Sequence, residues 1–92
     1  MDWQFVDVEA EEQLCRIENF AIKKIQNGEA IDFLLTIREF LHPPDPTMRF
    51  SAQADKQTNQ KHVAYTPCGW GPNLHTALRE CIQAIRKFPY EP

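Results

Sequence analysis

The sequence predicts an α+β fold: a small antiparallel sheet of two to three strands with helices packed on one face, in a single domain over residues 1–92. Three observations carry this expectation. A helical apolar period runs through residues 8–26, a last amphipathic helix follows the glycine turn near residue 70, and between them residues 48–66 alternate apolar and polar positions like a hairpin.

Taken in chain order, Trp3 and Phe5 alternate with Gln4 and Val6, which predicts a short first strand at residues 2–7. From Val8 to Gln26, Leu14, Ile17, Ala21 and Ile25 fall on one helical face, widened by Phe20 and Ile22. Glu9, Glu11 and Glu12 open that helix and Lys23 and Lys24 close it, the order a helix dipole favours, with Asn27-Gly28 as the stop. Residues 29–41 fit two templates. Ile31, Phe33, Leu35 and Ile37 alternate as in a strand, whereas Glu29, Asp32, Thr36 and Glu39 form a polar stripe at helical spacing. The helical template explains more positions, with Leu35 as its misfit, so a second helix is predicted, ended by His42-Pro43-Pro44-Asp45-Pro46. Phe50, Ala52 and Ala54 then face one way and Arg49, Ser51, Gln53 and Asp55 the other. A polar tip at residues 56–61 leads to a returning strand, His62 to Thr66. After Thr66-Pro67-Cys68-Gly69-Trp70-Gly71, Asn73 is the candidate cap of a last helix whose apolar face is Leu74, Ala77, Leu78, Cys81, Ile85 and Phe88.

Composition narrows the class of protein. Hydrophobic content of 42% and charged content of 25% are those of an ordinary globular chain. No apolar run approaches the length of a membrane span, and Met1-Asp2-Trp3 opens no signal-like stretch. Cys15, Cys68 and Cys81 form no Cys-x-x-Cys pair, which suits reduced thiols and a cytoplasmic location. The net charge is −3, but the first 41 residues carry nine acids against four bases and the remainder four acids against six bases. A chain polarised this way can meet a basic surface with one end and a phosphate with the other.

No catalytic signature, metal-ligand spacing or cofactor fingerprint is present. His62, Cys68, His75 and Cys81 match no structural-zinc pattern, and no orienting acid or oxyanion hole accompanies Cys68. The residues point instead to a binder. The candidate partner-binding set is Arg49 on the exposed strand face, Lys56, Gln57 and Lys61 on the hairpin tip, Trp70, Asn73 and His75 at the glycine turn, and Arg79, Arg86 and Lys87 on the last helix. Trp70 is expected to turn its ring toward the core, leaving its edge, Asn73 and His75 for the partner.

Three resemblances bear on function. With residues 29–41 as a strand, the element order resembles that of double-stranded-RNA-binding domains, although their lysine-rich signature is replaced here by Asn73-Leu74-His75-Thr76-Ala77-Leu78. The segment Tyr65-Thr66-Pro67-Cys68-Gly69-Trp70-Gly71-Pro72-Asn73-Leu74-His75-Thr76-Ala77-Leu78 looks like the strand–glycine–helix segment of HicB-type antitoxins. As an acidic single domain without an enzyme motif, the whole chain resembles phage-encoded anti-CRISPR proteins, particularly inhibitors of type I-F surveillance complexes. The stretches from Ala52 to Lys61 and from Phe88 to Glu91 contribute to that likeness. It implies stoichiometric binding to Cas proteins in the cytoplasm of an infected bacterium, in some families with contact to the guide RNA, so that target DNA cannot hybridise. A small RNA-binding or HicB-like antitoxin regulator is the alternative expectation.

Overall fold

In the computed structural model, which describes residues 2–92, the chain forms a four-stranded antiparallel meander with one helix laid across it. The strands β1 (Cys15–Gln26), β2 (Glu29–Phe40), β3 (Phe50–Ala54) and β4 (Cys68–Gly71) lie side by side in chain order, and α1 (Leu74–Lys87) follows β4. The α+β class holds. The sheet has one strand more than the predicted maximum, and one helix packs on it rather than several.

The largest correction concerns residues 8–41. Both predicted helices are strands, paired without interruption from Cys15↔Phe40 to Gln26↔Glu29. The physical reason lies in the turn and in an ambiguity of spacing. Asn27 and Gly28 both take positive φ, 52° and 78°, the requirement of a two-residue type I′ hairpin turn rather than a helix stop. Ile17, Ala21 and Ile25 recur every fourth residue, a spacing that fits one helical face and one face of a strand equally well. What breaks the tie is Phe20, Ile22 and Lys24, which alternate with them and point to the opposite side of β1. The acidic run that should open a helix makes a single turn, in which the Glu12 N–H donates to the Glu9 carbonyl at 3.0 Å. Residues 3–5 form a 3-10 turn, not a strand.

The predicted hairpin is corrected at its returning arm. Residues 62–66 form no strand, and the partner of β3 is β4, from Phe50↔Gly71 to Gln53↔Cys68. Within the intervening connection a lone bridge, Thr58↔Tyr65, pins the loop. The glycines of β4 serve close approach, not positive φ. A methyl group on Gly69 would run into the Ala77 carbonyl and lie 2.7 Å from the Cys81 backbone nitrogen, and one on Gly71 would lie 2.7 Å from Thr76 Cβ. Helix α1 therefore beds directly on the backbone of β4. Asn73 caps it as predicted, its Oδ1 accepting from the Thr76 N–H at 2.8 Å.

Core residues come from alternate positions of the strands and one stripe of the helix. Phe33, Leu35, Ile37, Ala52, Ala54, Ala77, Cys81 and Ile85 are buried together. The far end of the β1–β2 hairpin is tied to the C-terminal segment by polar contacts. Lys24 Nζ donates to the carbonyls of Ile85 and Phe88 at 3.0 and 2.9 Å, and Gln26 exchanges two hydrogen bonds with the Tyr90 backbone. The Lys24 bonds satisfy carbonyls at the C-terminal end of α1 and its cap that have no helical partner.

Candidate functional site

The helix covers one face of the sheet and leaves the other open. Register assigns the open face: Ile17, Asn19, Ala21, Lys23 and Ile25 from β1, Asp32, Leu34, Thr36, Arg38 and Phe40 from β2, Ser51 and Gln53 from β3, and Cys68 and Trp70 from β4. Side chains alternate across a strand, so these positions all point away from α1. Several are apolar and exposed: Ile17 at 50%, Leu34 at 47% and Trp70 at 42%.

Trp70 organises one end of this face. Its ring stacks on Phe40 with centroids 6.1 Å apart and planes 8° from parallel, an offset arrangement that fixes the indole without burying it. The expectation that the ring turns into the core is corrected by strand parity. Gly69 and Gly71 face the helix, so the residue between them faces solvent. The indole stands as a ridge between two shallow depressions. One is mostly apolar, lined by Gln13, Phe40, Pro44, Asp45 and Met48, and the other is mixed, lined by Ser51, Gln53, Thr66 and Cys68.

The other predicted site residues do not converge on Trp70. Arg49 is not on the open face: its guanidinium donates to Glu39 Oε2 from Nε at 3.2 Å and from Nη2 at 3.0 Å. Arg16 reaches Glu39 Oε1 at 3.3 Å, so a carboxylate that is 9% exposed is held between two guanidiniums. Buried charges need such pairing, which makes Arg49 part of the framework. Lys56 donates to the Asp32 carbonyl at 2.7 Å and pairs with Asp55 at 3.2 Å, stitching the loop to β2. Asp55 in turn accepts from the Leu34 N–H. Partial burial pushes its carboxyl up, but this bond and Lys56 outweigh it and hold the pKa below the ordinary carboxylate value. Gln57 and Lys61 are exposed in the same connection, with the Gln57 carbonyl accepting from Gln60.

His75, Arg79 and Arg86 lie with Leu78 and Ile82 along a shallow groove of α1, and Lys87 sits 5.6 Å from the Phe88 ring. That helix packs on the opposite side of the sheet from Trp70. The predicted residues thus include an aromatic end on the open face and a basic strip on the helix, which lies on the other face of the sheet. Sequence reasoning missed Ile17, Leu34, Arg38, Phe40 and Met48 as companions of Trp70. The signal for Leu34, Arg38 and Phe40 is the alternation through β2, which the helical template overrides; Ile17 lies in β1 and Met48 in a 3-10 turn outside that pattern.

The thiols are in distinct settings. Cys68 is exposed on the open face, whereas Cys81 is buried under α1 and donates to the Pro67 carbonyl at 3.6 Å. Burial, with a smaller contribution from Cys68, pushes the Cys81 thiol up from 9.0 to about 11, so it remains protonated at neutral pH. Among the described residues no helix is long and apolar enough to cross a membrane. Comparison of the chain with protein-family models, curated proteins and solved structures finds no match.

Proposed function

We propose that this chain works by stoichiometric binding, with the open sheet face around Trp70 as its contact surface and a protein as its partner. The observation that carries the reading is the stacked, half-exposed Trp70–Phe40 pair on a face that also exposes Ile17, Leu34 and Met48. Aromatic anchors held rigidly by a neighbour are the residues that dominate binding energy at interfaces, because little side-chain entropy remains to be lost. Charge favours a protein over a nucleic acid. The face mixes Lys23 and Arg38 with Asp32, and the whole chain carries −3, whereas phosphate backbones select concentrated positive charge.

In its sharpest form the partner is a Cas protein of a CRISPR surveillance complex, and occupancy keeps target DNA from hybridising. That identification rests on the resemblance to anti-CRISPR proteins alone. It is tested by titrating the protein into a type I-F surveillance complex and measuring residual DNA binding. Inhibition is expected to saturate near one or a few copies per complex. Full inhibition at strongly substoichiometric amounts would indicate turnover, and no inhibition would remove the Cas partner. The RNA-binding alternative draws on the same indole, since a base stacks on an exposed Trp without sequence preference. Its discriminating readout is a steep fall of RNA affinity with salt.

A further inference from the structure

The outer edge of β1 is unpaired along the strand. Strand β1 is one of the two outer strands, and its pairing with β2 runs from Cys15 to Gln26 without a bulge or proline. Natural edge strands are usually shortened, bulged or broken by proline because an open row of N–H and C=O groups templates further pairing. Leu41 N–H donates to the Leu14 carbonyl and Asp55 N–H to the Leu34 carbonyl, which sets the alternation. Even positions of β1 bond to β2, and odd ones from Ile17 to Ile25 direct their backbone groups outward. Among the described residues, no hydrogen bond beyond the sheet ladders engages the backbone of those odd positions.

We propose that β1 pairs antiparallel with β1 of a second copy of this chain, with Ala21 on the two-fold axis, joining the two sheets into one. Only registers that set odd positions against odd ones bring outward groups together. In the register centred on Ala21, Ile17 faces Ile25 of the second copy on the open side, and Phe20 faces Ile22 of the second copy on the helix side. Glu18 faces Lys24 of the second copy, a carboxylate across from an ammonium. Moving the centre to position 20 sets Arg16 against Lys24 and Ile17 against Lys23; moving it to position 22 sets Phe20 against Lys24. Self-complementarity of apolar and charged pairs in this one register is what favours a second copy over an unrelated strand.

The register also sets Asn19 against Lys23 of the second copy, twice by symmetry, and that pair supplies the test. Native mass spectrometry across a concentration series, on purified full-length protein, reads the dimer constant. Asn19→Glu places opposite charges across the axis and is expected to tighten the dimer roughly two- to tenfold, whereas Asn19→Lys loosens it by a similar factor. Ala21→Pro removes outward N–H groups at the centre while leaving the β1–β2 ladder intact, and is expected to abolish the dimer. If circular dichroism shows Ala21→Pro to be unfolded, the two Asn19 variants decide. A wild-type monomer at concentrations up to roughly 100 µM overturns the proposal. So does a dimer that ignores Asn19 substitutions or shifts the same way with both charges.

Discussion

Cys81 and Cys68 lie close together in the fold yet should behave as different chemical groups. Cys68 opens β4 on the exposed face, and Cys81 lies against the Pro67 carbonyl beneath α1. Alkylation with iodoacetamide at about pH 8 is expected to modify Cys68 readily and leave Cys81 intact in the folded protein, because Cys68 is exposed whereas burial shields the Cys81 thiol and keeps it protonated. Peptide mapping after brief labelling reads this directly, and rapid labelling of Cys81 would contradict the packing of the helix on β4. A pH dependence follows with a definite sign. The Cys81 thiol holds its proton to about 11 when folded and to 9.0 otherwise. The folded state therefore binds more protons across that window, and stability falls as pH rises through it. Melting temperatures of wild type and Cys81→Ala are expected to diverge below about pH 9, where the buried thiol still packs, and to converge toward pH 11.

At the scale of elements, the β1–β2 hairpin dominates, and one dipeptide directs it. Gly28 has φ of 78° and open space around its α-carbon, so substitution there tests backbone conformation without a steric clash. Gly28→Ala is expected to destabilise the fold by about 1–2 kcal/mol, the cost of a left-handed conformation for a residue with a Cβ. Chemical denaturation measures it, and an unchanged midpoint would contradict the type I′ assignment. The same dipeptide shows how much of the fold was legible in the sequence. Asn-Gly between two apolar runs is a strong hairpin signal, yet next to lysines and after a fourfold apolar spacing it also resembles a helix end. Leu35, the misfit of the helical reading, is 1% exposed in the strand core. Helix α1 was legible because a cap at Asn73 and an apolar stripe from Leu74 to Phe88 admit no second period. Strand β4 was not, because a strand with glycine at alternate positions has no side-chain pattern; the cause of those glycines is the helix lying on them.

For the whole molecule, the consequence of the meander is a sheet with one covered face and one open face. Trp70 could be picked out of the sequence, but its surroundings could not. Ile17, Arg38, Ser51 and Trp70 form a row only through three strand registers, and Phe40 reaches the indole from the end of β2. The basic residues predicted alongside Trp70 lie on α1, in ion pairs or, for Lys61, exposed in the β3–β4 connection, because charge in a sequence carries no information about which layer will hold it. Under the proposed binding function the partner meets the open face, while the Arg16–Glu39–Arg49 cluster lies on the covered side of the sheet.

The central claim, that Trp70 is an anchor on display rather than a piece of core, is tested most directly by one variant measured two ways. Trp70→Ala is to be assayed side by side for thermal unfolding and for binding to the proposed partner, the surveillance complex. Binding is expected to weaken by about 2 kcal/mol or more, as for central aromatic anchors, with the melting temperature almost unchanged. A Trp70→Ala protein that unfolds, at the cost of about 3–5 kcal/mol expected for a core aromatic, would contradict it, as would a folded one that binds its partner undiminished.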